Sequence, residues 1–367
     1  MKKNKFCTVI MALIVSSRAF AIDGNANNNF TRQQMDTLRK YLWQLPVNTE
    51  VAIAMVQNDK VIYGGIIIGK DSFHVVENRD SIFEIGSLSK VFTSVLLSSF
   101  VNSGIVKTTD ELKSFFSFPL KESSLNGKEI TLENLANHTS GLPRVDPSMF
   151  SALGIDMNNP YKVYDEKALD DYLQHKMKLD TVPGTKFSYS NLGGGLLGFV
   201  LCKKANKTYE ELVQEYIFRP LGMKNSTTNL ALVKGRLVKG RNMDGDTAES
   251  WTFTDATAGA GAIRSDAEDL VKFMQANFTE NKVYDLPRQK TFTDKPGMDI
   301  GLGWIIKTTA GKDDIYWHNG GTGGYRTCLA MDVKKKSGII ILSNVSSFHS
   351  QNANIDKLCF ALLRSLK

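Results

Sequence analysis

The chain has 367 residues, 42% of them hydrophobic and 23% charged, with a formal net charge of +7. That is globular composition with length for one large or two medium cores, which excludes a disordered or fibrous chain. The positive charges are dispersed rather than gathered into a block interleaved with aromatics, which argues against a nucleic-acid surface.

The N-terminus reads as a secretory leader. Lys2, Lys3 and Lys5 precede a short apolar run from Phe6 to Val15, and Ala19-Phe20-Ala21 fits a small-x-small cleavage pattern. The run is too short for a stable membrane span, and no later stretch qualifies. Residues 1–21 are therefore expected to be a signal peptide and the mature chain to be secreted, into the periplasm. An uncleaved anchor is the alternative. Cys202, Cys328 and Cys359 remain in the mature chain. Three is odd, so at least one is free. None has metal-ligand spacing, and buried small hydrophobes with at most one disulfide are expected.

In chain order, Phe30 to Leu45 has helical spacing, with Thr31 as N-cap. Glu50 to Val56 and Lys60 to Ile68 are β-branched runs joined at Gln57-Asn58-Asp59, a hairpin. Ile82 to Ile85 is extended and leads into a helix to about Asn102, apolar on most faces and so buried. From 109 to 254 the pattern is short helices and loops: Leu132 to Asn137, Glu166 to Leu179, Leu192 to Lys204 and Tyr209 to Ile217. No strand pairing is evident there. Ala258 to Ile263 reads as returning β-signal, before a helix capped by Ser265. Gly301 to Thr308, Ile315 to His318, Tyr325 to Asp332 and Gly338 to Asn344 read as strands, the last two turning at Lys334-Lys335-Lys336. Gln351 to Leu366 closes as a helix. The expected fold is α/β (α+β): an antiparallel sheet flanked by the terminal helices and a central buried helix. It comprises a discontinuous sheet domain, 22–108 and 255–367, with a helical insert, 109–254, and the active site between them.

Three clusters ask for a common explanation. Ser87 and Lys90 sit three residues apart at the start of the buried helix, on one face. A helix N-terminus favours a developing oxyanion, and a neighbouring lysine can take the serine proton. Tyr189-Ser190-Asn191 lies in a turn after Pro183-Gly184. His318-Asn319-Gly320-Gly321-Thr322-Gly323-Gly324 ends a strand, where glycines let a substrate backbone approach. There is no H-E-x-x-H, no Cys/His ligand cluster, no G-x-S-x-G elbow, no P-loop and no dinucleotide fingerprint. No metal and no cofactor is expected.

Together the three boxes resemble the penicillin-recognising serine hydrolases, in the branch of class C β-lactamases and D-alanyl-D-alanine carboxypeptidases. Phe83-Glu84-Ile85-Gly86, His138-Thr139-Ser140-Gly141-Leu142-Pro143 and Arg219-Pro220-Leu221-Gly222-Met223 match as flanks. The resemblance implies that Ser87 is the acylated nucleophile and that Lys90 and Tyr189 share the proton transfers, with the base left open between them. It implies that Asn191 binds the substrate amide, and that the backbone N–H groups of Ser87 and Gly321 form the oxyanion hole. His318, Asn319, Gly320 and Gly321 would line the substrate. This chain departs from class C enzymes in carrying His318 and Asn319 where they carry Lys and Thr. A histidine is a weaker and titratable cation for a substrate carboxylate. The expected activity is therefore hydrolysis of D-alanyl-D-alanine-type peptides with acylation by β-lactams. A class C-like β-lactamase, an esterase or D-aminopeptidase, and a non-enzymatic penicillin-binding sensor are the alternatives. The expected partner is a small-molecule or peptide substrate.

Overall fold

The computed structural model describes residues 21–23, 29–151 and 155–366. The leader segment, apart from Ala21, lies outside the described residues. Among the described residues ten strands form one sheet, in the order Ala21–Asp23, Ser72–Val76, Lys60–Ile68, Glu50–Gln57, Ser337–Ser343, Arg326–Asp332, Ile315–Gly321, Ile305–Lys307, Met298–Ile300, Phe292–Lys295. All neighbours are antiparallel except Ala21–Asp23, which runs parallel to Ser72–Val76. N-terminal and C-terminal strands meet at the centre, where Val51 pairs with Ser343 and Gln57 with Ser337.

The central strands are buried on both faces, which is why they read as apolar runs rather than as an alternation. Val51, Ile53 and Met55 face a core with Met35, Leu38 and Leu42 of the helix Arg32–Leu42 and Ile355, Leu358 and Leu362 of the helix Ala353–Ser365. Ala52, Ala54 and Val56 face the larger core, which holds Val91, Phe92, Val95 and Leu96 of the helix Ser89–Asn102. Each fully buried Leu or Val side chain stabilises the fold by roughly 1.5–3 kcal/mol. Thr31 caps the first helix as expected: its hydroxyl accepts from the Gln34 N–H, and the Gln34 side chain accepts from the Thr31 N–H.

Several expected elements differ. Ala258 to Ile263 is not a strand; Asp255–Gly261 is a helix. It packs on the helix Asn191–Ala205 so closely that a Cβ at Gly198 would lie 2.8 Å from the Gly259 Cα. Small residues serve that backbone approach and leave no apolar period to read. The next helix, Ala267–Ala276, is capped by Asp266 rather than Ser265. Glu166 to Leu179 is helical only to Asp171, then widens into a π turn, Tyr172–Lys176. Tyr209 to Ile217 likewise passes into a π turn after Val213. The stretch 109–254 does contain a strand pair, Ser124–Leu125 with Lys128–Glu129. Ser72–Val76, Phe292–Lys295 and Met298–Ile300 are strands without an assignment from sequence. Cys202, Cys328 and Cys359 are all free and buried, so no disulfide joins them.

Candidate active site

The Ser87 turn is set by its surroundings. The extended pair Phe83–Glu84 bonds to Arg264–Ser265, and the Ile85 N–H donates to the Ile263 carbonyl at 3.0 Å. Gly86 then takes φ +52°, a left-handed conformation open to glycine. A Cβ there would stand 2.5 Å from the Gly321 nitrogen. The chain thus enters the 3-10 turn Gly86–Leu88 against the end of the strand Ile315–Gly321, and the α-helix starts at Ser89. From Ile82 to Phe100 every residue except Ser87 is buried. Gly320 fits only because it lacks a side chain: a Cβ would lie 1.8 Å from the Ile85 carbonyl oxygen.

Lys90 is buried one turn on, with three partners: Ser87 Oγ at 3.1 Å, Asn191 Oδ1 at 2.9 Å and the Ala260 carbonyl at 2.7 Å. Its stem lies against Gly194, where a Cβ would come within 2.9 Å of Lys90 Cε. Desolvation, and then the Arg144 guanidinium, hold the Lys90 pKa well below its usual value of 10.5. A neutral amine has two N–H groups and one lone pair. Asn191 Oδ1 and the Ala260 oxygen can only accept, so they take both hydrogens. In that neutral form the lone pair is left for the Ser87 hydroxyl, whereas a charged Lys90 donates its third hydrogen to Ser87 Oγ.

The second box is held by two loops zipped together. The Gly184 N–H donates to the Thr139 carbonyl and the Ser188 N–H to the His138 carbonyl, each at 2.8 Å. Ser190 caps the helix Asn191–Ala205 through the Gly193 N–H and donates to the Pro143 carbonyl. Asn191 Nδ2 donates to the Tyr161 hydroxyl at 3.0 Å, so the Asn191 amide bridges Lys90 and Tyr161. Tyr189 is half-buried, its ring 5.0 Å from Lys90 Nζ and 5.2 Å from the Arg144 guanidinium carbon. Burial pushes its phenol up to about 12, against the opposing effects of a hydrogen bond with Ser87 and the Arg144 charge. Tyr189 therefore stays protonated at neutral pH.

The third box differs from expectation in two respects. Burial, then the Lys90 charge, push the His318 pKa down to about 3, which disfavours the titratable cation expected there. Its Nδ1–H donates to the Asn319 carbonyl at 2.6 Å, and its buried Nε2 is a bare acceptor without a partner among the described residues. Asn319 does not face the serine. Side chains alternate along a strand, and Asn319 points to the opposite side, where its Nδ2 donates to Asp356 Oδ2 of the C-terminal helix at 2.8 Å. Asp356 also pairs with Arg326.

Sequence reasoning passed over three residues here. His138, named in the sequence only as part of a flank and given no role, packs on Tyr189 with ring centroids 4.3 Å apart. Its Nδ1 accepts from the Ser190 N–H, and burial holds it neutral. Arg144 directly follows the His138–Pro143 flank, which was the signal for it. Tyr161 had no local signal; only the fold brings it to Asn191.

A serine beside a desolvated lysine and a protonated tyrosine, in a mixed α/β fold, defines a serine hydrolase. The chain belongs to the β-lactamase family: the family model described as Beta-lactamase matches residues 47–358. Among curated relatives, the D-alanyl-D-alanine-carboxypeptidase/endopeptidase AmpH of Escherichia coli is 26% identical over 381 residues, covering 98% of this chain and 96% of that protein. A Beta-lactamase of Pseudomonas fluorescens is 24% identical, covering 91% of this chain and 98% of its own length. A solved β-lactamase/D-alanine carboxypeptidase from Yersinia pestis superposes with a TM-score of 0.75 at 27% identity, covering 91% of this chain and 99% of that one.

Proposed function

We propose that the protein hydrolyses D-alanyl-D-alanine-type peptides through an acyl-Ser87 intermediate, and that β-lactams acylate the same serine. The observation that carries this reading is the coordination of Lys90 Nζ. Two fixed carbonyl acceptors and low solvent access leave a lone pair for the Ser87 proton. In this reading Lys90 is the base of acylation. Tyr189, protonated, donates to the leaving group. The Ser87 and Gly321 N–H groups, brought together by the Gly86 contact, receive the oxyanion, each worth about 3–4 kcal/mol. His318 offers an acceptor through Nε2. Gly320 keeps the strand close enough to the serine for a substrate backbone to lie along it.

The peptidase reading draws support from the carboxypeptidase relative, which matches over nearly the full length of both chains. A neutral histidine in place of a lysine weighs against efficient β-lactam turnover. The protein is taken to act in the periplasm after removal of residues 1–21, with its cleft between the sheet domain, 22–108 and 255–367, and the insert, 109–254.

The test is a panel. Wild type and Ser87→Ala are incubated with fluorescent penicillin, a chromogenic cephalosporin, a D-Ala-D-Ala peptide and a p-nitrophenyl ester. Labelling of Ser87 with release of D-Ala is the expected result. A stable label with no turnover of any substrate would identify a sensor, faster cephalosporin than peptide turnover a β-lactamase, and full activity of Ser87→Ala would refute the mechanism.

A further inference from the structure

We propose that Arg144 is the residue that receives a carboxylate of the substrate, a specificity role that rests on the acyl-Ser87 reading. The argument begins with elimination. Among the described residues, three cations act on the groups around Ser87: Lys90, Arg144 and Arg326. Lys90 is buried and its hydrogens are taken by Asn191 and Ala260. Arg326 is held by Asp356 on the far side of the strand Ile315–Gly321. His318 and His138 are neutral.

Arg144 alone is exposed, and its guanidinium has no ion pair among the described residues. The nearest acid in sequence, Asp146, is already engaged. It accepts from the Tyr164 hydroxyl at 2.9 Å and from Ser148. The Arg144 backbone is fixed, because its carbonyl accepts from the Asn191 and Leu192 N–H groups at 2.8 and 3.2 Å. The stem therefore rises from the residue whose carbonyl also anchors Asn191, and the guanidinium rests over the Tyr189 ring. A planar fork of donors, held by stacking and open to solvent, is suited to bidentate capture of a carboxylate. This inverts the charge pattern expected from the boxes. The cation lies on the Tyr189 side of the cleft instead of on the strand that carries His318.

The experiment uses thioester substrates of one N-acyl-glycyl core. In the first pair the leaving group is mercaptoacetate or mercaptoacetamide. In the second pair the acyl cap is succinyl or its carboxamide. kcat/KM is measured for wild type, Arg144→Gln and Arg144→Lys, and the carboxylate-to-carboxamide ratio is taken within each pair. The expected result is a wild-type ratio above one in one of the pairs. Arg144→Gln should lower that ratio about tenfold or more, mostly through KM, and Arg144→Lys should restore part of it. The pair that responds tells whether the carboxylate belongs to the leaving group or to the acyl part. Unchanged ratios in both pairs would overturn the proposal. So would an equal loss on all four substrates with a displaced pH profile, which would make Arg144 a residue acting through Lys90 or Tyr189. Ser87→Ala is run alongside. Hydrolysis surviving in it refutes the acyl-serine reading itself, whereas its loss with unchanged Arg144→Gln ratios refutes only the carboxylate site.

Discussion

In the proposed mechanism Lys90 can serve as the base only because it is dry. Replacing it by Met keeps the volume and removes the lone pair, and should slow penicillin labelling of Ser87 by about 10²–10⁴-fold. The second-order labelling rate measured by mass spectrometry is the check, and an unchanged rate would exclude Lys90 as base. The pH dependence has a definite sign. In that mechanism Lys90 acts in its neutral form, so acylation should fall as pH drops through its lowered pKa. His318, neutral above about 3, contributes no step between pH 5 and 8. Profiles of wild type and His318→Asn should therefore have the same shape, and loss of an inflection in that window would contradict the neutral assignment. At this scale the sequence was partly legible. The three-residue spacing of Ser87 and Lys90 is a helical fact. The turning away of Asn319 was available from strand alternation with His318, since neighbours on a strand face opposite sides. The charge state of His318 was not legible, because its desolvation is produced by elements far apart in the chain.

Among the elements, the glycines decide how closely the site can close. Gly194 leaves the slot in which the Lys90 stem lies. Gly194→Val should push the amine off Ser87 and lower kcat with less effect on KM; an unchanged kcat would show that the slot has slack. Gly320→Ala meets the Ile85 carbonyl and should destabilise the fold by about 1–3 kcal/mol, read from urea midpoints. The same small residues explain a misreading. Asp255–Gly261 carries Ala and Gly for contact with the helix Asn191–Ala205, and a helix without large apolar side chains shows no 3.6 period. The π turns after Asp171 and Val213 were equally hidden, since one extra residue in a turn leaves no mark in composition. By contrast Glu50–Gln57 and Lys60–Ile68 were legible because their turn and their β-branched runs are local.

Over the whole molecule, the sheet joins both ends of the chain, and the pairing of Val51 with Ser343 is what no local pattern could specify. That sheet and its neighbours bury ionisable groups whose protonation couples to folding. Glu84 sits beside Arg264, both buried, with a carboxyl pushed up from 4.5 to about 7 by desolvation, against the opposing Arg264 charge. A raised carboxyl pKa means the folded state holds a proton that the unfolded chain releases. Its contribution to stability is thus lost as pH rises from 4.5 through about 7. The buried histidines act oppositely. His138 and His318 are depressed below 6.5, so their contribution is lost as pH falls below that value. The Glu84 effect is isolated by Glu84→Gln, which cannot ionise. The unfolding free energy of the variant relative to wild type should increase between pH 5 and 7.5, by roughly 2–3 kcal/mol. A pH-independent difference would mean that Glu84 is ionised throughout.

The buried entry of the Ser87 helix also bears on chemical selectivity. Between Ile82 and Phe100 the chain carries five serines, Ser87, Ser89, Ser94, Ser98 and Ser99, and four of them are closed off inside the core. An electrophile arriving from solvent meets one hydroxyl there. Discrimination among chemically identical groups is made by shielding before any activation by Lys90 takes part. A boronate, a fluorophosphonate or a strained lactam should accordingly mark a single position in this helix, and even a variant with a dead base should show its residual slow acylation at Ser87 and not at the serine two residues on.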